Sequence, residues 1–184
     1  KTDEEPVYAV IFKDWDGTLI STNIYHWGDE VTAPTDPTRP ADNTFTYVFI
    51  GWDKTVVNCA GDEIYTAVYT PVYIDYTVEF KDWDNTVLST CTYHYGDVVV
   101  APINPTRPAD NTYTYVFTGW DKAVVNCAGN VTYTATYTSN YIDYTVMFKN
   151  WDGTVISSEK YHYGDQVTVP TNPTKAADKT YTYA

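Results

Sequence analysis

Apolar and polar side chains alternate at the start of three similar stretches of the chain. Tyr, Val and Phe hold every second position there, in Tyr8–Phe12, Tyr76–Phe80 and Tyr144–Phe148. Successive side chains of a β-strand point to opposite faces of the sheet, so this alternation predicts a strand with one buried face. We therefore expect Phe12, Phe80 and Phe148 to lie in the core.

A turn signal follows each of these strands. Asp16-Gly17, Asp84-Asn85 and Asp152-Gly153 stand between apolar runs, and such pairs are typical of a tight hairpin turn of the primed type. A second strand is predicted from about Thr18 to Trp27 in the first copy. Pro34, Pro37 and Pro40 come next. Because proline cannot donate to a strand ladder, we expect this segment to cross the module as an irregular or polyproline-like connection.

Two further strands complete the first copy. Thr44–Ile50 is rich in β-branched and aromatic residues, which predicts the third strand. Gly51-Trp52 then forms a bend that leaves the sheet, and Val56–Gly61 holds one helical turn at most. The last strand is predicted at Ile64–Tyr69, followed by a short joint at 69–75. The counterparts in the second copy are Thr112–Thr118, Gly119-Trp120, Thr132–Tyr137 and 137–143.

The copies repeat at a fixed spacing. Trp15, Trp83 and Trp151 stand 68 residues apart, and so do Arg39, Arg107 and Lys175. This regularity predicts one unit copied in tandem, in a mainly β fold (α+β at most) of small four-stranded modules. The predicted division is a lead at 1–7, modules at 8–75 and 76–143, and a partial module at 144–184 that holds only the first half. The half copy has two possible explanations. Truncation is favoured, because order is commonly lost at chain ends. The alternative is completion by strands of another chain.

Charge narrows the range of partners. The chain carries 11 Lys and Arg against 24 Asp and Glu, for a net charge of −13. A surface this acidic repels phosphate backbones and anionic headgroups, so we expect no nucleic-acid partner and no binding to membrane surfaces. No apolar stretch is long enough to span a bilayer, and Lys1–Glu5 does not resemble a signal peptide, so we expect no membrane insertion in this fragment.

The three cysteines do not suggest a disulfide framework. Cys59 and Cys127 occupy the same position in two modules, whereas Cys91 matches Asn23 and Glu159. Only Cys91 and Cys127 could pair within a module. Because the first module offers Cys59 no such partner, we expect Cys59 and Cys127 to be small apolar fillers and Cys91 to be a reactive or idle thiol.

The first hairpin contains the candidate metal ligands. Asp14 and Asp16, with Asp82 and Asp84 in the second copy, could gather a calcium ion together with main-chain carbonyls. They lack the later ligands of an EF-hand loop, and Asn150 replaces the first Asp in the third copy. Capping of the turn is therefore the favoured role, and no metal site is predicted.

No catalytic residue or cofactor is expected either. His26, His94 and His162 occur once in each copy without a second ligand at metal-binding spacing, and we expect partly exposed strand histidines. A nucleophile paired with a base does not recur in every copy.

Five motifs resemble those of a known family. They are Val-x-Phe-Lys-[Asp/Asn]-Trp-Asp, Tyr-His-[Trp/Tyr]-Gly-Asp-x-Val, Pro-x-[Asp/Asn]-Pro-Thr, Gly-Trp-Asp-Lys and Tyr-Thr-Ala-x-Tyr. Together they resemble the Listeria–Bacteroides repeat, the family that contains the B repeats of internalins. The resemblance implies small β-grasp-like modules strung in tandem on secreted or wall-attached bacterial proteins, with spacer or adhesive roles. The hairpin departs from the family in reading Asp-Trp-Asp-Gly rather than paired glycines.

The expected function is that of an extracellular spacer or stalk in a bacterial surface or secreted protein, with other modules of the same protein as partners. Trp15, Trp83 and Trp151 raise an alternative, because exposed rings can stack on sugars: an adhesive module that binds a host or bacterial surface glycan or protein. A third alternative is a self-assembling fibre in which one chain completes the third module of another.

Overall fold

The computed structural model describes residues 5–177 and 179–181, in which ten strands and no helix form. Their bounds are β1 Val7–Lys13, β2 Leu19–His26, β3 Phe45–Trp52, β4 Glu63–Tyr73, β5 Tyr76–Lys81, β6 Val87–Tyr93, β7 Tyr113–Trp120, β8 Val131–Tyr141, β9 Tyr144–Lys149 and β10 Val155–Tyr161. The mainly β fold is confirmed. The β-grasp-like relationship stays a prediction.

The strands form three sheets. Their orders are β2-β1-β4-β3, β6-β5-β8-β7 and β10-β9. By their contacts the residues divide into two compact units. One unit holds the residues up to Val78 with Thr90–Val100 and Val125–Val131, and the other holds Glu79–Ser89, Ala101–Val124 and the residues from Thr132 onward. The division into modules at 8–75, 76–143 and 144–184 stays a prediction.

The first sheet is built around a parallel pair of strands. β1 and β4 pair in parallel from Val10 with Glu63 to Lys13 with Thr66. β2 lies antiparallel on the other side of β1, and β3 lies antiparallel on the other side of β4. The two central strands therefore come from the start and the end of the copy, and every close contact between them bridges a long loop.

The core covers one face of this sheet. Its buried residues are Val10, Phe12, Val31, Cys59 and Tyr65, with Tyr8, Ile20, Tyr25, Trp52 and Val56 packed partly buried around them. Phe12 stacks on Tyr65 with ring centroids 5.0 Å apart and meets Trp52 edge-on at 4.7 Å. Because Val31 and Cys59 lie in the connections between strands, loops form the second layer of the module.

The same positions are buried in the second copy. They are Val78, Phe80, Val99, Cys127, Tyr133 and Ala135. The predictions for Phe12 and Phe80 are thus confirmed, whereas Phe148 is only half-buried. Cys59 and Cys127 are buried apolar fillers as expected, and Cys91 is exposed.

The hairpin turn differs from the prediction. Asp14 N donates to Thr18 O at 2.7 Å and Gly17 N donates to Asp14 O at 2.9 Å, so three residues form the loop. Gly17 has φ of 87°, while Trp15 and Asp16 keep negative φ. A primed two-residue turn would force positive φ on bulkier residues, and the longer loop confines that conformation to Gly17.

The predicted bend at Gly51 is wrong. β3 continues through Gly51 to Trp52, with a bulge between Phe49 and Gly51, and Gly51 has φ of 128°. The bulge inserts one extra residue, so Trp52 pairs with Ala67 and turns its ring toward Phe12. Glycine accommodates the positive φ that the bulge needs.

The predicted joints at 69–75 and 137–143 are also mostly strand. β4 runs to Tyr73 and β8 runs to Tyr141. Phe45 pairs with Tyr73, and their ring centroids lie 4.6 Å apart. Cross-strand aromatic contacts of this kind extend the ladder. β1 pairs with β4 only as far as Thr66, so Pro71 has β3 as its single neighbouring strand and is tolerated there.

Replacing Trp52 with Ala should lower the free energy of unfolding by about 3 kcal/mol, because the substitution removes a ring packed on Phe12 and leaves a cavity. Denaturant unfolding monitored by circular dichroism measures the change. Trp27→Ala is the matched control, since Trp27 is 67% exposed, and its cost should stay within about 1 kcal/mol. Equal costs for the two variants would contradict the packing described above.

Candidate functional site

A cation lies against the hairpin tryptophan in every copy. The guanidinium carbon of Arg39 stands 3.9 Å from the ring centroid of Trp15 and 3.6 Å from that of Tyr47. Arg107 repeats these distances to Trp83 and Tyr115, and Lys175 Nζ lies 4.1 Å from Trp151. A planar guanidinium held between two rings gains cation–π attraction on both faces. We call Arg39, Trp15 and Tyr47 the arginine clamp.

The arginine clamp joins three parts of the module. Trp15 lies in the hairpin loop, Arg39 in the proline-rich crossover and Tyr47 on β3. Asp42 supports the clamp by accepting the Tyr47 hydroxyl at 2.6 Å. That bond, the Phe45 and Thr44 amides and the nearby positive charge of Arg39 lower the pKa of Asp42. The clamp therefore fastens the crossover across the face of the sheet.

The candidate metal ligands Asp14 and Asp82 accept hydrogen bonds from the protein itself. Asp14 Oδ1 accepts from Trp15 N at 2.8 Å and from the Tyr69 hydroxyl at 2.9 Å. Asp82 has the same partners in Trp83 and Tyr137. Burial, followed by the bond to Asp14, raises the pKa of Tyr69 to about 12, and Tyr137 is raised to about 12 in the same way.

Asp16 and Asp84, the other two candidates, cap the turn. Asp16 accepts from Thr18 N at 2.9 Å and Asp84 from Thr86 N at 3.0 Å. Hydrogen bonds from these threonines lower the pKa of both carboxyls. Within residues 5–177 and 179–181, no group of three or more His, Cys, Asp and Glu is arranged to hold an ion. Each of the four carboxylates accepts a hydrogen bond from a main-chain amide of its own hairpin.

The candidate ligand-binding tryptophans are partly accessible. Trp15 is 47% exposed, Trp83 46% and Trp151 69%. The cation covers one face of each ring. Sequence reasoning did not identify the arginine clamp, although the constant spacing of Arg39, Arg107 and Lys175 alongside the tryptophans was the signal for it.

A second repeated arrangement lies where one copy meets the next. The His94 ring is 4.4 Å from the Tyr73 ring, and its Nε2 lies 3.3 Å from Asp75 Oδ1. The Tyr76 hydroxyl donates to Asn43 O at 2.9 Å. We call Tyr73, Asp75, Tyr76 and His94 the joint cluster. Its histidine also faces Asp97 Oδ2, at 3.7 Å from Nδ1.

The chain builds the joint cluster again 68 residues later. His162 lies 4.4 Å from Tyr141, its Nε2 is 3.4 Å from Asp143 Oδ1, and the Tyr144 hydroxyl donates to Asn111 O at 2.9 Å. A hydrogen bond from Lys160 lowers the pKa of Asp143. His94 and His162 therefore lie directly after β6 and β10. Their side chains contact the tyrosine and the aspartate of the joint cluster. In the first copy, Val7 occupies the position of Asp75 and Asp143. This difference is the sequence signal for the joint cluster.

Tyr69 and Tyr137 should titrate near pH 12, about two units above ordinary tyrosine. A tyrosine whose folded pKa is raised contributes stability that is complete below pH 10 and is lost as the pH rises towards 12. Tyr69→Phe with Tyr137→Phe should therefore flatten the decline of unfolding free energy between pH 10 and 12. Ultraviolet titration and chemical denaturation measure the two effects.

The matched control is Asp14→Asn, which installs the residue that the third copy has at Asn150. Asn150 Oδ1 still accepts from Trp151 N at 2.9 Å, so the turn should survive the change. Loss of the charge should lower the pKa of Tyr69 part of the way towards 10. An unchanged titration would mean that Asp14 does not act on Tyr69.

Comparison with known proteins gives one family. The model of the Listeria-Bacteroides repeat domain matches residues 8–58 and 144–179. No curated protein matches the sequence significantly. Among described residues, none forms a helix with the length and apolar character needed to cross a membrane.

Two solved structures are similar to parts of the chain. Domains 3-4 of the Streptococcal High Identity Repeats in Tandem (SHIRT) from a cell surface protein are 15% identical, with a TM-score of 0.35 over 74% of this chain and 99% of theirs. Mub-RV is 15% identical, with a TM-score of 0.19 over 73% of this chain and 98% of its own. The match of the family model to the first copy and to most of the third agrees with the resemblance that their motifs show.

Proposed function

We propose that this chain is a non-catalytic tandem repeat segment that acts as an extracellular spacer or stalk of a bacterial surface or secreted protein. The joint cluster carries the proposal, because the chain builds it twice with Tyr and His ring centroids 4.4 Å apart and a 2.9 Å hydroxyl bond each time. A spacer has to hold its copies in a defined order and orientation. A joint of repeated geometry serves that purpose.

The connection between copies is short, and hydrogen bonds hold its backbone. Ile74 and Asp75 alone separate β4 from β5, and Ile74 N donates to Thr44 O at 2.9 Å. Ile142 makes the equivalent bond to Thr112 at 2.9 Å. Two residues with a bonded backbone leave far less freedom than a flexible linker. The connection between the two strands is therefore short and hydrogen-bonded at its backbone.

The composition of the core supports a structural role. Every buried residue in the part of the chain that the structure describes is hydrophobic. Catalytic acids, bases and nucleophiles rely on shielded polar groups whose protonation the protein can tune. The family matched by residues 8–58 and 144–179 is likewise defined by a repeat domain. The proposal therefore assigns no catalytic residue.

Spacing can be tested on a cell surface. Inserted between a wall anchor and an antibody epitope, this tract should raise antibody access relative to a direct fusion, and two tracts in series should raise it further. Access that does not change with the number of tracts would contradict a spacer.

An adhesive module is the second candidate, favoured by the 69% exposure of Trp151. Exposed indole rings stack on sugars and pack against protein partners. Binding on a glycan array that Trp83→Ala and Trp151→Ala abolish, with unchanged melting, would favour this function. Concentration-dependent polymers would instead favour the fibre alternative, in which another chain completes the sheet of β9 and β10.

A further inference from the structure

Two tyrosines of the second copy face each other across neighbouring strands. Tyr113 begins β7, and Tyr141 ends β8. The two residues are direct partners in the antiparallel ladder, and their ring centroids lie 4.7 Å apart. Tyr141 is 58% exposed, and Tyr113 is half-buried. We call these two residues the tyrosine pair.

The phenol groups of the tyrosine pair interact with each other. The hydrogen bond of Tyr113 with Tyr141, followed by burial, raises the pKa of Tyr113. In a tyrosine ring, the two ortho carbons are bonded directly to the carbon that carries the hydroxyl group. Neighbouring hydroxyl groups therefore bring ortho carbons of the two rings close together, and the exposed ring of Tyr141 has room to rotate towards Tyr113.

The first copy has the same arrangement without the second phenol. Phe45 stands at the position of Tyr113, and its ring centroid lies 4.6 Å from that of Tyr73. Phe45 pairs with Tyr73 in the ladder as Tyr113 pairs with Tyr141. The strand pairing of the module therefore does not require the Tyr113 hydroxyl, and the chain contains its own matched control.

Tyr115 also lies near Tyr113 but is held by other contacts. Its ring centroid is 6.3 Å from that of Tyr113. The Tyr115 hydroxyl donates to Asp110 Oδ2 at 2.7 Å, and the guanidinium carbon of Arg107 lies 3.6 Å from the Tyr115 ring centroid. These contacts fix the hydroxyl and cover one face of the ring. Tyr141 is therefore the nearer partner for Tyr113.

We propose that the tyrosine pair is a site of oxidative cross-linking, at which hydrogen peroxide acting through a haem peroxidase joins β7 covalently to β8. Each phenol loses one electron and its hydroxyl proton and becomes a phenoxyl radical. The radicals couple through one ortho carbon of each ring, and the hydrogens on those carbons then move to the oxygens and restore two phenols. The two electrons and two protons reduce one hydrogen peroxide to two waters.

Coupling within one chain is favoured over coupling between chains. Two rings in contact react at a high effective concentration, whereas the net charge of −13 opposes the approach of a second chain. The new bond ties β7, an edge strand, to β8. Closure of the intervening loop restrains the unfolded chain, so the second copy becomes harder to unfold. The proposal does not depend on the spacer role, because the reaction is measured on the purified chain.

The test treats the purified chain with a haem peroxidase and one equivalent of hydrogen peroxide. Tyr113 lies in tryptic peptide 82–122, because Pro108 protects the bond after Arg107, and Tyr141 lies in peptide 123–149. Mass spectrometry should find these peptides joined and two hydrogens lighter than their sum, in a chain that stays monomeric and fluoresces as dityrosine. The joined chain should melt at a higher temperature than the untreated chain.

Three variants assign the bond to the tyrosine pair. Tyr113→Phe installs the residue of the first copy and should lower the yield of the joined peptides at least about tenfold. Tyr95→Phe is the matched control, since Tyr95 is 42% exposed and lies outside the pair, and it should leave the yield unchanged. Phe45→Tyr should add a second bond, to Tyr73, that joins peptides 14–54 and 55–81.

Three outcomes would overturn the proposal. They are the absence of joined peptides from the wild-type chain, equal yields from the wild type and Tyr113→Phe, and dimers as the main product. Melting curves recorded before oxidation establish that each variant folds.

Discussion

The parallel pairing of β1 with β4 is the constraint on which each full module depends. It places Phe12 beside Tyr65, with ring centroids 5.0 Å apart, and brings Trp52 edge-on to Phe12 at 4.7 Å. These large rings supply much buried apolar area per residue, which a module of this size needs to offset its chain entropy. The bulge at Gly51 contributes to the same packing, because it sets the register that turns the Trp52 ring toward Phe12.

A core this thin requires a cover, and the loops provide it. Val31 and Cys59 close the core from two connections, while Gly28 N donates to Cys59 O and Cys59 N donates to Asp29 O, each at 2.8 Å. The arginine clamp fastens the proline-rich crossover to the hairpin. The loops and the aromatic rings therefore cover one face of the sheet, and the other face is exposed.

Local sequence patterns predicted the strands well, because alternation and turn residues act over a few positions. Phe12 and Phe80 are buried as the alternation requires. The bulge at Gly51, the extension of β4 to Tyr73 and the joint cluster were missed, since each depends on which strand lies alongside. Arg39 shows the same limit: its spacing was visible in the sequence, but its place between Trp15 and Tyr47 depends on how the crossover folds back.

The near identity of the buried strands has a consequence for folding in tandem. β1 must find β4 across about fifty residues of chain, which is a slow kind of closure. β8 offers the same Tyr and Ala to β1 that β4 does, since Tyr133 and Ala135 match Tyr65 and Ala67. Adjacent copies are therefore competitors for each other's central strand, and synthesis from the N-terminus, which lets β1 meet β4 before β8 emerges, protects against this misassembly.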